Sequence, residues 1–447
     1  MKVNKFFFTI LLIIMAFALV ANYMSNFTFN ITGKYNRSFE NFQEDSESLV
    51  TGPLYAEKFG IEGLNGYGLG RFSSSLGVYY SNTMKAKDNA YWEKGYSQKE
   101  PAIIISSNEC TKNLIKDLKK IQFEKGSIFY VTNTIKENKY FIIKLDSKDI
   151  LTYNDSGNIE NITFINEERE RNKALCLNEY RSQFGLQGKI FKKLSNFISP
   201  DINYNIKILH VLCSIAAAIV FIIIVVLIFI KYGLLMATIF YLTFLLSPWI
   251  VNFARNLYWV EFTWFMPMAV GLFCSLKINY YKYRIFCYIA AFFTILIKCL
   301  CGYEYISTIM LSLVMFLIID FILSILNRDR NNSVLIGKII LIFSIIALLG
   351  FIVSLCIHAP LKSNGDIVEG LKKIYFDDVL RRTIGGDNLN FAPEYSKSFE
   401  VSVLEVIMTY LKFDSSILTG IPSSMFPILS GVPLLIFIYD YIQAIKY

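Results

Sequence analysis

The chain has 447 residues, of which 54% are apolar and 18% are charged, and its formal net charge is +8. A soluble domain usually carries more charge and fewer apolar residues. Because the apolar residues come in runs long enough to span a bilayer, and the basic residues fall largely between those runs, the composition indicates a polytopic membrane protein and argues against nucleic acid as the reason for the positive charge.

Eight apolar runs predict about eight transmembrane helices in a polytopic α-helical membrane protein. They are residues 6–24, 208–230, 233–250, about 260–276, 285–300, 305–326, 334–357 and about 423–442. No A-x-A-like cleavage site follows the long first run, so we expect a retained helix rather than a signal peptide. The expected divisions are a first helix (1–23), a polar region (24–207), six helices (208–357), a second polar region (358–422) and a last helix with a short tail (423–447).

The connections between the runs predict that the N-terminus lies in the cytoplasm. The connections expected on that side are Lys231, KINYYKYR (277–284) and NRDRNNSVLIGK (327–338), and all of them carry Lys or Arg. Such an excess of basic residues is typical of cytoplasmic loops. Both polar regions are therefore expected outside the cytoplasmic membrane, together with the hairpins 252–262 and 299–305.

The first polar region is expected to contain a small α/β insert at about 90–180 and two surface helices. The strand-like runs are AIIISS (102–107), SIFYVTN (127–133) and YFIIKL (140–145). Between the first two runs, CTKNLIKDLKKI (110–121) has the apolar spacing of an amphipathic helix. LQGKIFKKLSNFI (186–198) alternates apolar and basic residues at helical spacing just before a span, which indicates a helix along the membrane surface.

Cysteine and histidine form no metal-binding pattern in the sequence. Most of the eight cysteines lie inside apolar runs, where they act as small hydrophobic residues. Cys110 and Cys176 share the first polar region, and both a disulfide and two free thiols are compatible with that location. With only His210 and His358 present, we expect no histidine-based zinc site.

The acidic segment EDSESLVTGPLYAEKFG (44–60) has two interpretations. Residues that can share one face of a short surface helix are Leu49, Val50, Leu54 and Phe59. Asp45 or Ser46 would cap this helix at the positive end of its dipole. Alternatively, Asp45 and Glu47 are carboxylates at the membrane surface, one of which acts as a general base.

The glycine-rich segment GLNGYGLGRF (63–72) is not a nucleotide-binding loop, because no buried strand precedes it and no helix with a downstream acid follows it. Its expected location outside the cell also separates it from ATP and NAD. Two interpretations remain, a plain surface loop and a turn whose backbone approaches a sugar or another loop.

The two outer hairpins place ionisable groups beside the same predicted membrane face. SPWIVNFARNLYWVEFTWF (247–265) contains Arg255 and Glu261, and IKCLCGYEYIS (297–307) contains Tyr303 and Glu304. Snorkelling side chains within an aromatic belt would explain them. Ionisable groups inside apolar sequence are also often functional, and Tyr and Trp beside carboxylates and Arg suit sugar recognition.

The second polar region contains IVEGLKKIYFDDVLRRTIGGDN (367–388). The spacing of Ile367, Leu371, Ile374 and Leu380 predicts an amphipathic helix that ends near the Gly385–Gly386 pair. Arg381 and Arg382 in its last turn would compensate the helix dipole. Alternatively, they would bind a lipid phosphate, because guanidinium groups match phosphate oxygens bidentately.

One span, a large outer loop that opens with acids and a surface helix, and then many spans together resemble the GT-C superfamily of glycosyltransferases, which includes protein O-mannosyltransferases and the aminoarabinose transferase of lipid A. In that family an aspartate follows the first span, often as Asp-Glu before a helix that contains Tyr-Ala. The counterpart here is Asp45-Ser46-Glu47 followed by PLYAEKFG (53–60), with a serine between the acids. Many members also have more spans than this chain.

The resemblance implies transfer of a sugar from a polyprenyl-phosphate carrier to a glycan, lipid or protein acceptor on the outer face, within membrane lipids and without nucleic acid. Asp45 would activate the acceptor, with Glu47 beside it, and Arg381 or Arg382 would hold the carrier phosphate. The residues implied to line the sugar or acceptor cavity are Arg255, Glu261, Tyr303 and Glu304. The lipid-linked sugar is the donor, no further cofactor is implied, and reactions with and without a divalent metal ion both remain open.

Two other classes compete with this interpretation. Polysaccharide polymerases and ligases also carry outer arginines, but their large loop usually lies late in the chain. Transporters often show repeats, broken helices and charges near the bilayer midplane, none of which is evident here. A transporter or a receptor-like protein is therefore the third hypothesis.

Overall fold

The computed structural model describes residues 5–25, 44–58, 60–72 without 62 and 64, 79–80, 102–106, 112–122 without 114, 128–137, 140–146, 163–166, 171–173, 177–378, 401–412, 414–418 and 421–424. The chain divides into two compact units. The helical unit comprises residues 1–44, 182–186 and 204–447, and the sheet unit comprises residues 45–181 and 187–203.

The helices and strands are numbered in chain order. The helices are α1 (Lys5–Ser25), α2 (Glu44–Lys58), α3 (Leu186–Ile198), α4 (Ile202–Tyr232), α5 (Leu234–Leu246), α6 (Pro248–Ala254), α7 (Phe262–Leu276), α8 (Tyr281–Cys301), α9 (Ile306–Leu326), α10 (Arg330–Lys362), α11 (Ile367–Ile374) and α12 (Val403–Lys412). The strands are β1 (Gly70–Phe72), β2 (Tyr79–Tyr80), β3 (Ala102–Ser106), β4 (Leu118–Gln122), β5 (Ile128–Glu137), β6 (Tyr140–Asp146), β7 (Thr163–Asn166), β8 (Arg171–Lys173), β9 (Leu177–Glu179), β10 (Asp414–Leu418) and β11 (Ile421–Ser424).

Five helices of the described chain are long and apolar enough to cross a membrane, which identifies a membrane protein. They are α1, α4, α8, α9 and α10. The predicted spans at 233–250 and 260–276 correspond to the shorter apolar helices α5 and α7, of 13 and 15 residues. Of the predicted last span, residues 423 and 424 belong to β11 and the rest lies outside the described residues.

The run 233–250 is divided because Pro248 follows Ser247. A residue that precedes proline is pushed out of the helical region, and Ser247 has extended backbone angles, φ −70° and ψ 119°. The last carbonyls of α5 then need other donors. Asn22 Nδ2 donates to the Leu245 carbonyl at 2.7 Å, and Tyr23 Oη donates to the Phe244 carbonyl at 3.0 Å. Two side chains of α1 therefore supply hydrogen-bond donors to carbonyls at the C-terminal end of α5.

The helical unit has an aromatic core. The rings of Phe221 and Phe244 stack with centroids 4.2 Å apart, and Phe265 meets Phe221 edge to face at 4.9 Å. Such pairs stabilise beyond the area that they bury. Helices α7 and α9 approach closely because Gly271 leaves room for the Leu313 carbonyl, which a methyl group would overlap.

One ion pair lies at the end of α4, among α7 and α9. Lys231 Nζ lies 2.8 Å from both carboxylate oxygens of Asp320. Ser275 Oγ accepts from Lys231 Nζ at 2.6 Å and donates to Asp320 Oδ2 at 2.6 Å. Asp320 lies inside the apolar run 305–326, where an unpaired carboxylate would be costly.

The sheet unit contains an antiparallel sheet of seven strands in the order β2-β3-β6-β5-β4-β7-β8. It includes the three predicted strand runs as β3, β5 and β6, so that part of the predicted insert is confirmed. The helix predicted at 110–121 is wrong beyond its first residues. Only 112–113 are helical, Asp117 has a φ of 56°, and β4 begins at Leu118 and pairs with β5 and β7. Pairing with two strands overrides the helical spacing.

Helix α2 confirms that the acidic segment is helical and corrects the predicted N-terminus of that helix. The structure already has helix at Glu44, so Asp45 and Ser46 lie within the helix and not at its cap. The side chains of Leu49, Val50 and Leu54 are buried, as the predicted shared face requires. Phe59 lies outside the described residues.

The glycine-rich segment is not a surface loop, because residues 67–70 are buried in the sheet unit. Two helices pack against its backbone, and each of them does so at one of its own glycines. A methyl group at Gly52 of α2 would overlap the Gly70 carbonyl, and one at Gly188 of α3 would overlap the Gly68 carbonyl. The predicted close backbone approach is therefore present, and its partners are helices of the same chain.

Glu179 fixes the start of this segment. Its carboxylate accepts from the Asn65 backbone N–H at 3.0 Å, from Asn65 Nδ2 at 2.9 Å and from the Tyr67 N–H at 3.2 Å. Burial lowers the pKa of the nearby Lys189 ammonium, and the Glu179 charge opposes that shift. The carboxylate thus acts here as a structural anchor.

The helix predicted at 186–198 is confirmed as α3, with the same bounds, whereas its position along the membrane surface stays a prediction. Its face with Gly188 and Phe191 is buried. A second apolar stripe of Ile190, Leu194 and Phe197 is exposed, with Phe197 87% accessible. An exposed apolar stripe on a helix that leads directly into a spanning helix fits the predicted contact with lipid.

Candidate functional site

Polar side chains collect in the helical unit where α8 ends and α9 begins. Gln183 Nε2 donates to Tyr258 Oη at 2.8 Å and also to Glu304 Oε1. Tyr258 Oη donates to the same Glu304 oxygen at 2.9 Å. Glu304 is partly exposed, whereas Gln183 and Tyr258 are buried. The result is a carboxylate held through one oxygen by two buried donors.

Lys298 supports the turn that carries Glu304. This lysine, in the last turn of α8, is 2% exposed, and its Nζ donates to the Gly302 carbonyl at 2.6 Å. A buried ammonium is stable only with such partners. Lys298 therefore anchors the backbone two residues before Glu304.

The turn between α6 and α7 carries the second carboxylate, Glu261. Asn256 Oδ1 accepts from the backbone N–H groups of Tyr258 and Trp259 at 2.9 and 3.2 Å, which fixes the turn. Val260 has a φ of 41°, a conformation that costs free energy for a β-branched residue and that recurs at functional sites. Glu261 is 2% exposed, and its Oε2 has no hydrogen-bond partner among the described residues.

An aromatic cluster joins the segments 247–265 and 297–307. The rings of Phe253, Tyr258, Trp259, Trp264 and Tyr305 follow one another with centroid distances of 4.9 to 6.2 Å. The indole N–H groups of Trp259 and Trp264 are buried without an acceptor in the described part of the chain. Tyr305 is 55% exposed, and its φ of 56° turns the chain into α9. The hairpins predicted at one membrane face are thus in contact.

A second polar group lies where α10 ends. Tyr303 Oη is 3.2 Å from His358 Nδ1, and the two rings stack. Burial raises the pKa of the Tyr303 phenol, so this hydroxyl is a neutral hydrogen-bonding group. Lys362 pairs with Asp378 at 2.9 Å and with Asp377 at 3.4 Å.

The predicted site residues have different locations. Glu304 lies in the polar cluster with Gln183 and Tyr258, and Glu261 lies in the turn between α6 and α7. Tyr303 belongs to the second polar group, where it contacts His358. Arg255 Nη1 donates to the Met24 carbonyl at 3.4 Å, so this arginine supports the end of α1. Asp45 and Glu47 belong to α2 in the sheet unit. Arg381 and Arg382 lie outside the described residues, as do Cys110 and Cys176.

Sequence reasoning did not select Gln183 or His358 as site residues. Gln183 has no motif around it and meets Glu304 only through a contact 121 residues apart, so no local signal identifies it. His358 follows the apolar run 334–357 directly, and an ionisable residue in that position is a signal that sequence analysis can use.

Comparisons with known proteins find no match for this chain. It matches no protein-family model, and no curated protein and no solved structure is significantly similar to it. Within the described ranges, no group of three His, Cys, Asp or Glu side chains is arranged to hold a metal ion. The site is therefore interpreted from its own geometry.

Proposed function

We propose that this chain is an integral-membrane glycosyltransferase. It moves a sugar from a polyprenyl-phosphate-linked donor to a glycan, lipid or protein acceptor on the extracytoplasmic face of the cytoplasmic membrane. The observation that carries the proposal is the Glu304 carboxylate, partly exposed at the end of apolar helices and beside an aromatic cluster. Carboxylates and aromatic rings together suit a polyhydroxylated ligand that has one apolar face.

Sugar transfer from a phosphate carrier makes two chemical demands. The acceptor hydroxyl must lose its proton, for which a carboxylate is a suitable general base. The phosphate leaving group must be stabilised by positive charge. In the proposal Asp45, beside Glu47, accepts the proton, and Arg381 and Arg382 hold the phosphate, whereas Glu304 contacts the sugar.

The proposal includes a membrane topology of about eight spans with a cytoplasmic N-terminus. Lys231 and the pair Arg328 and Arg330 would then lie on the cytoplasmic side, as the positive-inside rule expects. The helix-end cluster around Glu304 would open to the extracytoplasmic side, where lipid-linked sugars are presented. The sheet would be an acceptor-recognition module.

Donor binding tests this function. The purified chain in lipid nanodiscs is mixed with undecaprenyl phosphates that carry glucose, galactose, mannose or aminoarabinose, and complexes are counted by native mass spectrometry. We expect one of these donors to bind, and the double variant Arg381→Ala/Arg382→Ala to lose it. Arg328→Ala/Arg330→Ala is the matched control for removing two arginines and is expected to bind normally.

Two results would contradict the proposal. Binding of none of these donors would exclude this donor class and favour a transporter or a receptor-like protein. Extension of a lipid-linked oligosaccharide by whole repeat units, in place of single sugars, would identify a polymerase.

A further inference from the structure

We infer that Glu304 Oε2 accepts a hydrogen bond from a hydroxyl of the sugar being transferred, and that Gln183 and Tyr258 are positioning residues that aim this oxygen. The inference rests on the proposed function and specifies where its sugar binds. It starts from the unequal surroundings of the two oxygens of one carboxylate.

The first oxygen, Oε1, is fully engaged. It accepts from Gln183 Nε2 and from Tyr258 Oη, and Gln183 Nε2 also bonds Tyr258 Oη. This closed triangle fixes the amide orientation, since a flipped Gln183 would direct its own oxygen at the carboxylate. The rotation of the Glu304 carboxylate is therefore determined by two buried side chains.

The second oxygen, Oε2, accepts no hydrogen bond from the described residues, since both bonds to this carboxylate end on Oε1. An ionised carboxylate has acceptor capacity at both oxygens and loses stability when one is removed from water without a donor. Because Glu304 is partly exposed, a donor from solvent or from a ligand can reach this group. A hydroxyl is the donor that a sugar supplies.

The Glu304 carboxylate lies in close contact with the backbone of Gly302. A methyl group at Gly302 would overlap Glu304 Oε2 and would lie 3.1 Å from Gln183 Oε1. The Gly302 carbonyl is itself fixed by Lys298 Nζ at 2.6 Å. The carboxylate thus packs directly on an anchored glycine, which limits the positions that Oε2 can adopt.

The neighbouring groups select a neutral sugar ring over a phosphate. Lys298, which anchors the turn that carries Glu304, is buried and already donates to the Gly302 carbonyl, so its ammonium is not available to bind an anion. The exposed ring of Tyr305 follows Glu304 in the chain and packs against Trp264 at 5.2 Å. A carboxylate beside an exposed aromatic ring can bind hydroxyl groups and the apolar face of a pyranose at once. The carrier phosphate then binds elsewhere.

Because the sugar and the carrier phosphate bind at different places, two lipid probes test the inference. Affinities are measured for the sugar-bearing undecaprenyl phosphate that wild type binds and for undecaprenyl phosphate without sugar. We expect Glu304→Gln to weaken binding of the sugar-bearing lipid by about tenfold to a hundredfold, the range of one hydrogen bond to a charged group, and to leave the bare lipid unchanged. Gly302→Ala should act like Glu304→Gln, because the added methyl group displaces the carboxylate. Glu369→Gln, at an exposed carboxylate of α11, is the matched control.

Gln183→Leu and Tyr258→Phe should each weaken binding of the sugar-bearing lipid only. Gln183→Asn should bind that lipid more tightly than Gln183→Leu does. A purely structural role would weaken both lipids equally. Tryptophan fluorescence of the wild-type protein gives a second test. Because Tyr258 contacts Trp259 at 4.9 Å, tryptophan emission should change with the sugar-bearing lipid and not with the bare lipid.

Three results would overturn the inference. In the first, sugar-bearing lipid binds to Glu304→Gln as tightly as to wild type. In the second, the variants weaken binding of both lipids equally, or both lipids change the tryptophan emission of wild type by the same amount. In the third, neither lipid binds to wild type, in which case the proposed function fails and the sugar site fails with it.

Discussion

The ion pair between Lys231 and Asp320 allows a quantitative prediction about the helical unit. The pair joins α4 to α9 with two contacts of 2.8 Å, and Ser275 bonds both partners. The two side chains are 14% and 19% exposed. Removing one partner of a buried pair costs about 3–5 kcal/mol, because the remaining charge is left without a partner. The residual exposure reduces that range to about 2–4 kcal/mol for Asp320→Leu.

The double variant Lys231→Met/Asp320→Leu separates the pair's net contribution from the cost of an orphaned charge. Apolar replacement of a whole buried pair is often neutral, so we expect the double variant to lie within about 1 kcal/mol of wild type. The chain's own thiols report unfolding. In the described residues, the buried cysteines are Cys213, Cys274, Cys287, Cys299 and Cys301. Reaction of these thiols with a fluorogenic maleimide during an SDS titration in mixed micelles gives the free energy of unfolding.

The reasoning would be refuted by either of two outcomes. One is a loss below about 0.5 kcal/mol for Asp320→Leu, the value of an exposed pair. The other is a double variant as unstable as the single variant, which would mean that the pair stabilises through packing and not through charge.

Three further predictions concern other parts of the chain. Gly188→Ala should destabilise the sheet unit, because its methyl group meets the Gly68 carbonyl; limited proteolysis would show faster cleavage, and unchanged cleavage would contradict the contact. Glu261→Met should stabilise the helical unit by about 1 kcal/mol, because it replaces an unpartnered buried carboxyl with an apolar side chain of similar size; loss of stability in the SDS titration would refute it. Phe197→Asp should increase hydrogen exchange across α3 in nanodiscs, since an acid disfavours lipid contact, and unaltered exchange would place α3 away from lipid.

Helices with strong periodicity were predictable from the sequence. The bounds of α3 agree with the prediction because its apolar and basic residues alternate at helical spacing up to the next span. The acidic helix was also predictable, but its start was not, because Asp45 and Ser46 are good caps that here lie inside the helix.

Features that depend on contacts distant in sequence were not predictable. Residues 118–121 have helical spacing, yet they form β4 because two strands pair with them. The glycines of the segment 63–72 are typical of a loop in the sequence. In the structure, α2 approaches the Gly70 carbonyl at Gly52, and α3 approaches the Gly68 carbonyl at Gly188. The charges of the segments 247–265 and 297–307 single out Glu261 and Glu304 in the sequence, and their functional role stays a prediction. Gln183, which bonds Glu304, comes from a distant part of the chain and has no local signal.

Sugar transfer is the most direct test of the account. Envelope membranes that contain the full chain receive undecaprenyl phosphate with a tritiated sugar, and the label is followed out of the lipid fraction. The account predicts transfer of single sugars by wild type, and its loss in Asp45→Asn and in Glu304→Gln at unchanged protein level. Label that stays on the lipid with wild type for every donor, or transfer that continues in both variants, would contradict it.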